Sequence, residues 1–320
     1  MTSYLITGGA GFIGSHLADR LIAHGDSVVA IDDLSTGRHA NIVQLAGEPR
    51  FRFVAGSAVD AATIDPLVQS CDVVVHLAAA AGGELIRDQP LRSALTNVTA
   101  TSTVLETAAR HGRPVLIASS ADVYGYDAPA PVREDDLRDA GMASDMRASH
   151  AAAKAFEESL AFAWAHETGM PIVIARLFNT AGPRQRADYG AVVPRFVERV
   201  QAGRALRVFG DGRQTRCFAH VLDVVAALHA LAETPAAAGQ AFNVGSQDEV
   251  TMLELAERMM EAAGVSRPVE LVPMPDGFRE VRQSVPSIAK VAACIGWAPT
   301  RSLDDIVRDA VAERMGPVAG

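Results

Sequence analysis

The chain has little of what builds disulfide frameworks, metal clusters or membrane spans. Only three of its 320 residues are cysteines, Cys71, Cys217 and Cys294. They are scattered without metal-ligand spacing, which suits a reducing cytoplasm, leaves no disulfide framework and gives no reason to expect a metal. No apolar run is long enough to cross a bilayer. The opening "MTSYLITGGAG" enters a strand and turn without the basic region and long apolar run of a signal peptide, so a cytoplasmic location is expected. Positive charge is also short: 29 Lys and Arg stand against 38 Asp and Glu, a net charge of −9. Neither a nucleic acid nor a membrane surface is therefore expected as the main partner. Internal repeats, low-complexity runs and linkers are missing, which excludes an independent second domain. Also absent is any Tyr-x-x-x-Lys, and that gap matters below.

What is present is alternation. Short apolar runs at 4–7, 27–32, 50–56, 72–79, 114–119 and 171–178 read as buried parallel strands. Helical segments at 12–24, 91–111 and 149–168 lie between them, several ending in glycine. Strand and helix in turn predict an α/β fold with a doubly wound parallel sheet of the Rossmann type. After residue 179 turn-rich stretches (182–190, 210–215, 273–280) separate helices near 192–203, 221–233, 251–263 and 302–314. The expected division is a dinucleotide-binding part over 1–178, rejoined by segments near 215–245. A smaller substrate lobe takes 179–214 and 246–320.

"TGGAGFIG" (7–14) follows the first strand and opens the first helix, setting Gly8, Gly11 and Gly14 in a G-x-x-G-x-x-G array. Glycines allow a sharp turn and close approach of a pyrophosphate, which then rests on the helix N-terminus. Asp32 ends the second strand and is followed by Asp33. A carboxylate there accepts the ribose hydroxyls and repels a 2′-phosphate, which favours NAD over NADP, although Arg38 is close in sequence.

With "TGGAGFIGSHL", "DDLSTG" (32–37), "DVVVHLAA", "TNVTATSTVLETA" (96–108), "SSADVYG" (119–125), "ARLFNTAGPRQ" (175–185), "VFGDGRQTRCF" (208–218), "FNVGS" (242–246) and "GWAPT" (296–300), the chain resembles the extended short-chain dehydrogenase/reductase family nearly end to end. That family includes the nucleotide-sugar epimerases, dehydratases and decarboxylases. The resemblance implies a retained NAD that oxidises a sugar hydroxyl, usually at C4, and later returns the hydride. It extends the cofactor contacts to Phe12, Ile13, Ser35, Thr36, Gly37, Ser57, Ala58, Leu77, Ala78, Ala79, Asn97 and Leu177.

The catalytic expectations are Ser120, Asp122, His150 and Lys154. By resemblance Ser120 touches the reacting sugar oxygen. Asp122 stands where epimerases often have a small or hydroxyl residue and sugar lyases tend to carry Glu, an acid able to protonate a leaving group. His150 and Lys154, at i and i+4, share a helix face. In the family pattern Lys154 holds the nicotinamide ribose and the residue four before it is a tyrosine. Tyrosine, with an ordinary pKa near 10, needs a lysine to lower it, whereas imidazole near 6.5 is already a base at neutral pH. Imidazole is shorter than phenol, so a water or a shifted sugar must fill the gap.

For the substrate, a nucleotide-diphosphate sugar that is UDP-linked by resemblance, the expected contacts are Ser120, Asn179, Val193, Phe209, Arg216 and Arg282. An arginine fork suits diphosphate. Cys217 replaces an aspartate common in epimerases, and Gly277 stands where an arginine usually precedes the acid, here Glu280, leaving Arg279 or Arg282 to substitute. The function expected first is an NAD-dependent nucleotide-sugar 4-epimerase working through a 4-keto sugar. A UDP-glucuronate decarboxylase or 4,6-dehydratase stands beside it, and a non-catalytic binder of NAD and nucleotide sugar is the third possibility. A homodimer is expected through helices 91–111 and 149–168, with Phe156, Leu160 and Trp164 at the interface.

Overall fold

The computed structural model describes residues 1–136, 146–188, 190–274 and 281–315. Seven parallel strands form the central sheet: β1 (Ser3–Thr7), β2 (Ser27–Asp32), β3 (Phe51–Ala55), β4 (Val73–His76), β5 (Val115–Ser120), β6 (Ile172–Leu177) and, returning late, β11 (Gln240–Val244). Their order is β3-β2-β1-β4-β5-β6-β11. The chain winds outward from β1 to β3, then crosses to the other side of β1 for β4. That reversal opens a crevice at the carboxyl ends of β1 and β4, where α/β sheets bind ligands. β4 is shorter than the apolar run 72–79 suggests. The Ala78 N–H bonds the Thr7 hydroxyl at 3.2 Å, so the chain leaves the sheet after His76 and its next residues face the crevice.

Alternation along the strands feeds two cores, one on each face. Tyr4, Ile6 and Leu116 pack with Leu17 and Leu21 of α1 (Phe12–His24). Leu5 and Ile117 pack on the other face with Leu67 of α2 (Ala61–Gln69) and Val104 of the helix 90–111. A short helix α3 (Gly83–Asp88) precedes that long helix, α4 (Pro90–His111), which lies beside α5 (Met146–Thr168). On the outer faces of this pair Leu91, Leu95 and Phe156 are exposed at 70%, 59% and 53%. Leu160 and Trp164 instead turn inward and pack against the core.

The second half supplies two further small strands, β7 (Thr180–Ala181) and β10 (Ala219–His220), paired in parallel, and a lobe with its own core. In the lobe α6 (Val192–Gln201) packs with helices 252–262 and 303–315, burying Phe196, Leu255, Met259, Ile306 and Val307. Strands β8 (Leu206–Phe209) and β9 (Thr215–Cys217) reach across it towards the crevice. The helix between lobe and sheet, α7 (Val221–Glu233), packs on α1. Near its start Asp223 accepts hydrogen bonds from Thr300 N and Oγ1 and from Arg301 N and Nη1, at 2.6–3.0 Å. One carboxylate thus ties the last segment to the body.

Candidate active site

The crevice is a single cleft of about 850 Å³ running from the β1–α1 turn to the lobe. At its cofactor end Gly8 has φ +72°, and a Cβ there would sit 2.8 Å from Ala78 N. A Cβ on Gly14 would meet Gly8 O at 2.2 Å. Any side chain at either position would therefore close the turn. Gly11 precedes α1 with no side-chain cap, leaving the first helical N–H groups directed at the cleft for an anion.

Asp32 is buried, its carboxylate fixed by Ala10 N at 3.0 Å and Leu34 N at 2.8 Å. Burial raises its pKa despite those bonds. Gly37 faces it: a Cβ there would lie 2.7 Å from both carboxylate oxygens. Gly37 therefore shapes Asp32 rather than the cleft wall. Arg38 points to Asp188 and does not line the cleft. Asn97 also stands behind the wall; its Oδ1 accepts from Ala80 N at 2.7 Å and holds the 78–82 loop in place. Phe12, Ile13, Asp33, Ser35, Thr36, Ser57, Ala58, Leu77, Ala79 and Leu177 line the cleft as expected positions.

Ser120, Asp122, His150 and Lys154 all line the same cleft. Ser120 ends β5, and its Oγ accepts from Asp122 N at 3.1 Å, capping the turn Ala121–Tyr124. The cap uses an oxygen lone pair and leaves the hydroxyl proton to be donated. His150 is buried on α5, one turn before Lys154. The chain contains two lysines among 29 basic residues, Lys154 and Lys290. In a protein that otherwise uses arginine, a buried Lys at this position marks a need for a compact ammonium.

Behind Lys154 runs a hydrogen-bond chain that sequence reasoning did not anticipate. Lys154 Nζ donates to Ala118 O at 3.0 Å and Glu157 Oε2 at 2.9 Å. Thr101 Oγ1 donates to the same carboxylate oxygen at 2.8 Å and sits 3.1 Å from His76 Nε2. His76 Nδ1 lies 2.7 Å from Thr7 Oγ1. Complete burial, and then the charge of Lys154, push the His76 pKa down to about 4, so the ring is neutral. The donors then run one way. Thr101 gives its only proton to Glu157, so His76 carries its proton on Nε2 and accepts from Thr7 at Nδ1. The network joins the end of β1 to α5.

A second buried set supports Ser120 from below. Ser119 Oγ donates to Glu158 Oε1 at 2.6 Å. Arg176 forks onto Glu158 with two bonds of 2.9 Å and donates to Tyr124 Oη at 2.7 Å. Tyr124 in turn donates to Asn243 at 2.6 Å. These contacts pin the ends of β5, β6 and β11 to α5. Glu157 and Glu158 follow Lys154 at three and four residues, and charged pairs at that spacing on a helix destined for burial were the available signal.

At the lobe end Asn179, Val193, Phe209 and Arg216 line the cleft. Arg184, Arg186 and Arg195, which sequence reasoning missed, also line the cleft; Arg184 donates to Ser15 Oγ at 3.2 Å and Arg186 to Thr36 O at 3.3 Å, on the side of α1 and β2. Asn179 Nδ2 donates to Cys217 O at 3.3 Å. Cys217 is fully buried, and burial followed by the nearby Glu249 and Asp248 pushes its thiol up to about 12, so it is inert. Arg282 departs from expectation: it pairs with Asp211 at 3.1 Å with its side chain 71% exposed, and it does not line the cleft. It lies in a bend just before the two-residue strand Gln283–Ser284 that pairs with β9, outside the paired register. Gly277, Arg279 and Glu280 lie outside the described residues. The cleft extends into a side cavity of about 190 Å³ that shares Ser120, Asp122, Asn179 and Arg216 with it.

The model of the NAD dependent epimerase/dehydratase family matches residues 4–245. The chain belongs to that family. It is 35% identical over 96% of its length, and 96% of the relative's, to a UDP-N-acetyl-alpha-D-glucosaminuronate decarboxylase of Bacillus cytotoxicus. A UDP-glucuronic acid decarboxylase 1 of Arabidopsis thaliana is 36% identical over 93% of the chain, which spans 66% of that longer protein. Among solved structures, the UDP-glucuronic acid 4-epimerase of Bacillus cereus, in complex with UDP-glucuronic acid and NAD, superposes with a TM-score of 0.88 at 29% identity, covering 97% of this chain and 98% of the other. The family is NAD-dependent, and the cradle fits that cofactor: Gly8 and Gly14 let the backbone turn close tightly, α1 begins without a side-chain cap against the cleft, and Asp32 is fixed at the strand end. The chain is thus an NAD-dependent enzyme of the nucleotide-sugar epimerase and decarboxylase class. Among the described residues no helix is long and apolar enough to cross a membrane.

Proposed function

We propose that this enzyme decarboxylates a UDP-linked uronic acid by oxidising its C4 hydroxyl, releasing the neighbouring carboxylate as carbon dioxide and reducing the ketone again. The observation that carries this reading is the side cavity. Ser120 and Asp122 border both it and the main cleft, and Arg216 stands on its wall. An arginine beside two oxygen-bearing side chains suits a sugar that brings its own carboxylate. Two curated relatives named above as decarboxylases of UDP-uronic acids support the same choice.

When bound, NAD supplies the acceptor for the C4 hydride and the donor that returns it. Gly8, Gly11, Gly14 and Asp32 would hold it, with Lys154 at its nicotinamide end. His150, as a neutral imidazole, accepts the hydroxyl proton while Ser120 hydrogen-bonds the oxygen. The 4-keto sugar is then a β-keto acid. Its C5–C6 bond breaks, the electron pair moves onto O4 as an enolate, and carbon dioxide leaves. C5 takes a proton from Asp122, and His150 returns its proton to O4 as the ketone is reduced. His150 gives back the proton it took, and Asp122 regains from water the proton it delivered to C5, so each turnover consumes one proton as the carboxylate leaves as carbon dioxide.

The 4-epimerase expected from the sequence shares every step to the ketone, and the structural likeness to the B. cereus 4-epimerase favours it as the second reading. The test is incubation of the purified protein and NAD with UDP-glucuronic acid and UDP-N-acetylglucosaminuronic acid, with products resolved by mass and NMR. Release of carbon dioxide supports the decarboxylase. An isomer of unchanged mass establishes the epimerase instead, and no conversion of either sugar refutes both.

A further inference from the structure

At the amino ends of β1 and β2, the opposite end of the strands from the cleft, four side chains converge. α1 closes with His24, turns at Gly25 (φ +104°) and continues through Asp26 into β2. α7 presents His229 and Glu233 one turn apart near its own end. His24 Nδ1 lies 2.8 Å from Asp26 Oδ2, and His229 Nε2 is 3.8 Å from the same oxygen and 3.3 Å from Glu233 Oε1. One ligand atom from each of the four falls within 4.8 Å of all the others. His229 Nε2 is buried with no hydrogen-bond partner, on a side chain only 4% exposed. A buried ring nitrogen left without a partner in this way needs an explanation.

We propose that His24, Asp26, His229 and Glu233 form a binding site for a divalent transition-metal ion of the zinc class. Two imidazole nitrogens and two carboxylate oxygens are a donor set for zinc. With zinc–ligand bonds of about 2.0–2.1 Å, the edges of a tetrahedron are about 3.3 Å. The 2.8, 3.3 and 3.8 Å separations bracket that edge.

The surroundings match what such a site needs. The other Asp26 oxygen, Oδ1, accepts from Thr2 N at 2.8 Å, and Tyr4 Oη donates to Glu233 at 3.3 Å. Those are the outer contacts that orient metal ligands. The two pairs lie far apart in sequence, each too small a signal to be read alone. The site clamps the end of α1 to the end of α7 and lies away from the catalytic wall, so its function is structural.

The full chain, stripped with a chelator and dialysed, should bind one Co²⁺ with the intense visible absorption of a four-coordinate centre. Zn²⁺ should displace the Co²⁺ and raise the melting temperature. His24→Gln, at an exposed position, and Glu233→Gln should each weaken binding at least tenfold and abolish the thermal shift, while Cys294→Ser binds normally. Lack of stoichiometric binding at micromolar free metal overturns the proposal. So does binding that is undiminished in both His24→Gln and Glu233→Gln, since the metal would then sit elsewhere and the four groups would be an ordinary hydrogen-bonded cluster.

Discussion

Lys154 and Glu157 are an ion pair across one turn of α5, Nζ to Oε2 2.9 Å apart, with side chains 7% and 1% exposed. Burial would raise the Glu157 pKa, but Lys154 reverses the shift and the carboxylate is held below its ordinary range. The pair changes what Lys154 does to its neighbour one turn back. A bare ammonium helps a phenol ionise but opposes protonation of an imidazole. Glu157 lies against that charge and offsets part of it.

Glu157→Gln should therefore act in two ways. It leaves the ammonium uncompensated, which costs on the order of 3–5 kcal/mol for a broken buried pair and lowers the melting temperature. It should also move the acid limb of the kcat–pH profile to lower pH, because the imidazole becomes harder to protonate, and lower the plateau. A profile that keeps its limb in place would show that Glu157 is structural only.

His150→Phe should keep NAD binding and lose hydride transfer by a factor on the order of 10² to 10⁴ in single-turnover experiments. His150→Tyr is the sharper variant. A phenol reaches further into a cleft built around imidazole and should reduce turnover by crowding the sugar. Strong activation by tyrosine, with phenylalanine silent, would mean that the histidine is no proton carrier and that the protein binds its ligands without turnover.

The fold was legible because its signals are local and periodic. The glycine turn, the apolar strands and Asp32 at a strand end lie within short windows, and β-sheet pairing of the six early runs follows from their alternation with helices. Less legible was everything set by burial of charge. His76 reads as a strand residue until Thr7, Thr101 and Glu157 close around it, and their spacing in sequence carries no period. Arg282 misled for a related reason. A motif shows which residue is near a position, whereas the bend before the strand Gln283–Ser284 carries Arg282 out to Asp211 and away from the cleft.

Cofactor choice should follow Asp32. The protein should bind NAD more tightly than NADP in titration calorimetry, because a 2′-phosphate would meet a fixed carboxylate and Arg38 is engaged with Asp188. Asp32→Ala should narrow or remove the difference, mainly by weakening NAD. Tighter NADP binding by the unaltered protein would show that the ribose lies elsewhere.

Assembly is open to a direct measurement. Leu91 and Leu95 on α4 and Phe156 on α5 expose apolar surface on two adjacent helices, the arrangement that a pair of copies would cover as four helices. Light scattering at micromolar concentration should give twice the chain mass, and Phe156→Glu with Leu95→Glu should give the monomer. A monomer from the unaltered chain removes the expectation.

Asp223 offers a stability prediction whose sign can be worked out. Burial would raise its pKa, but the hydrogen bonds from Arg301 and Thr300 and the Arg301 charge prevail and hold it below the ordinary carboxylate range. A group whose pKa is depressed on folding contributes stability that is fully present above its unfolded value, about 3.9, and is lost as pH falls through the folded value. Asp223→Asn keeps the shape and one acceptor but removes the charge, so it should destabilise by on the order of 3 kcal/mol at neutral pH. The gap in melting temperature between wild type and variant should stay constant down to about pH 5 and narrow below pH 4. A gap that persists unchanged into strong acid would mean that the carboxylate's charge contributes nothing, and that the tether to Thr300 and Arg301 holds through neutral hydrogen bonds alone.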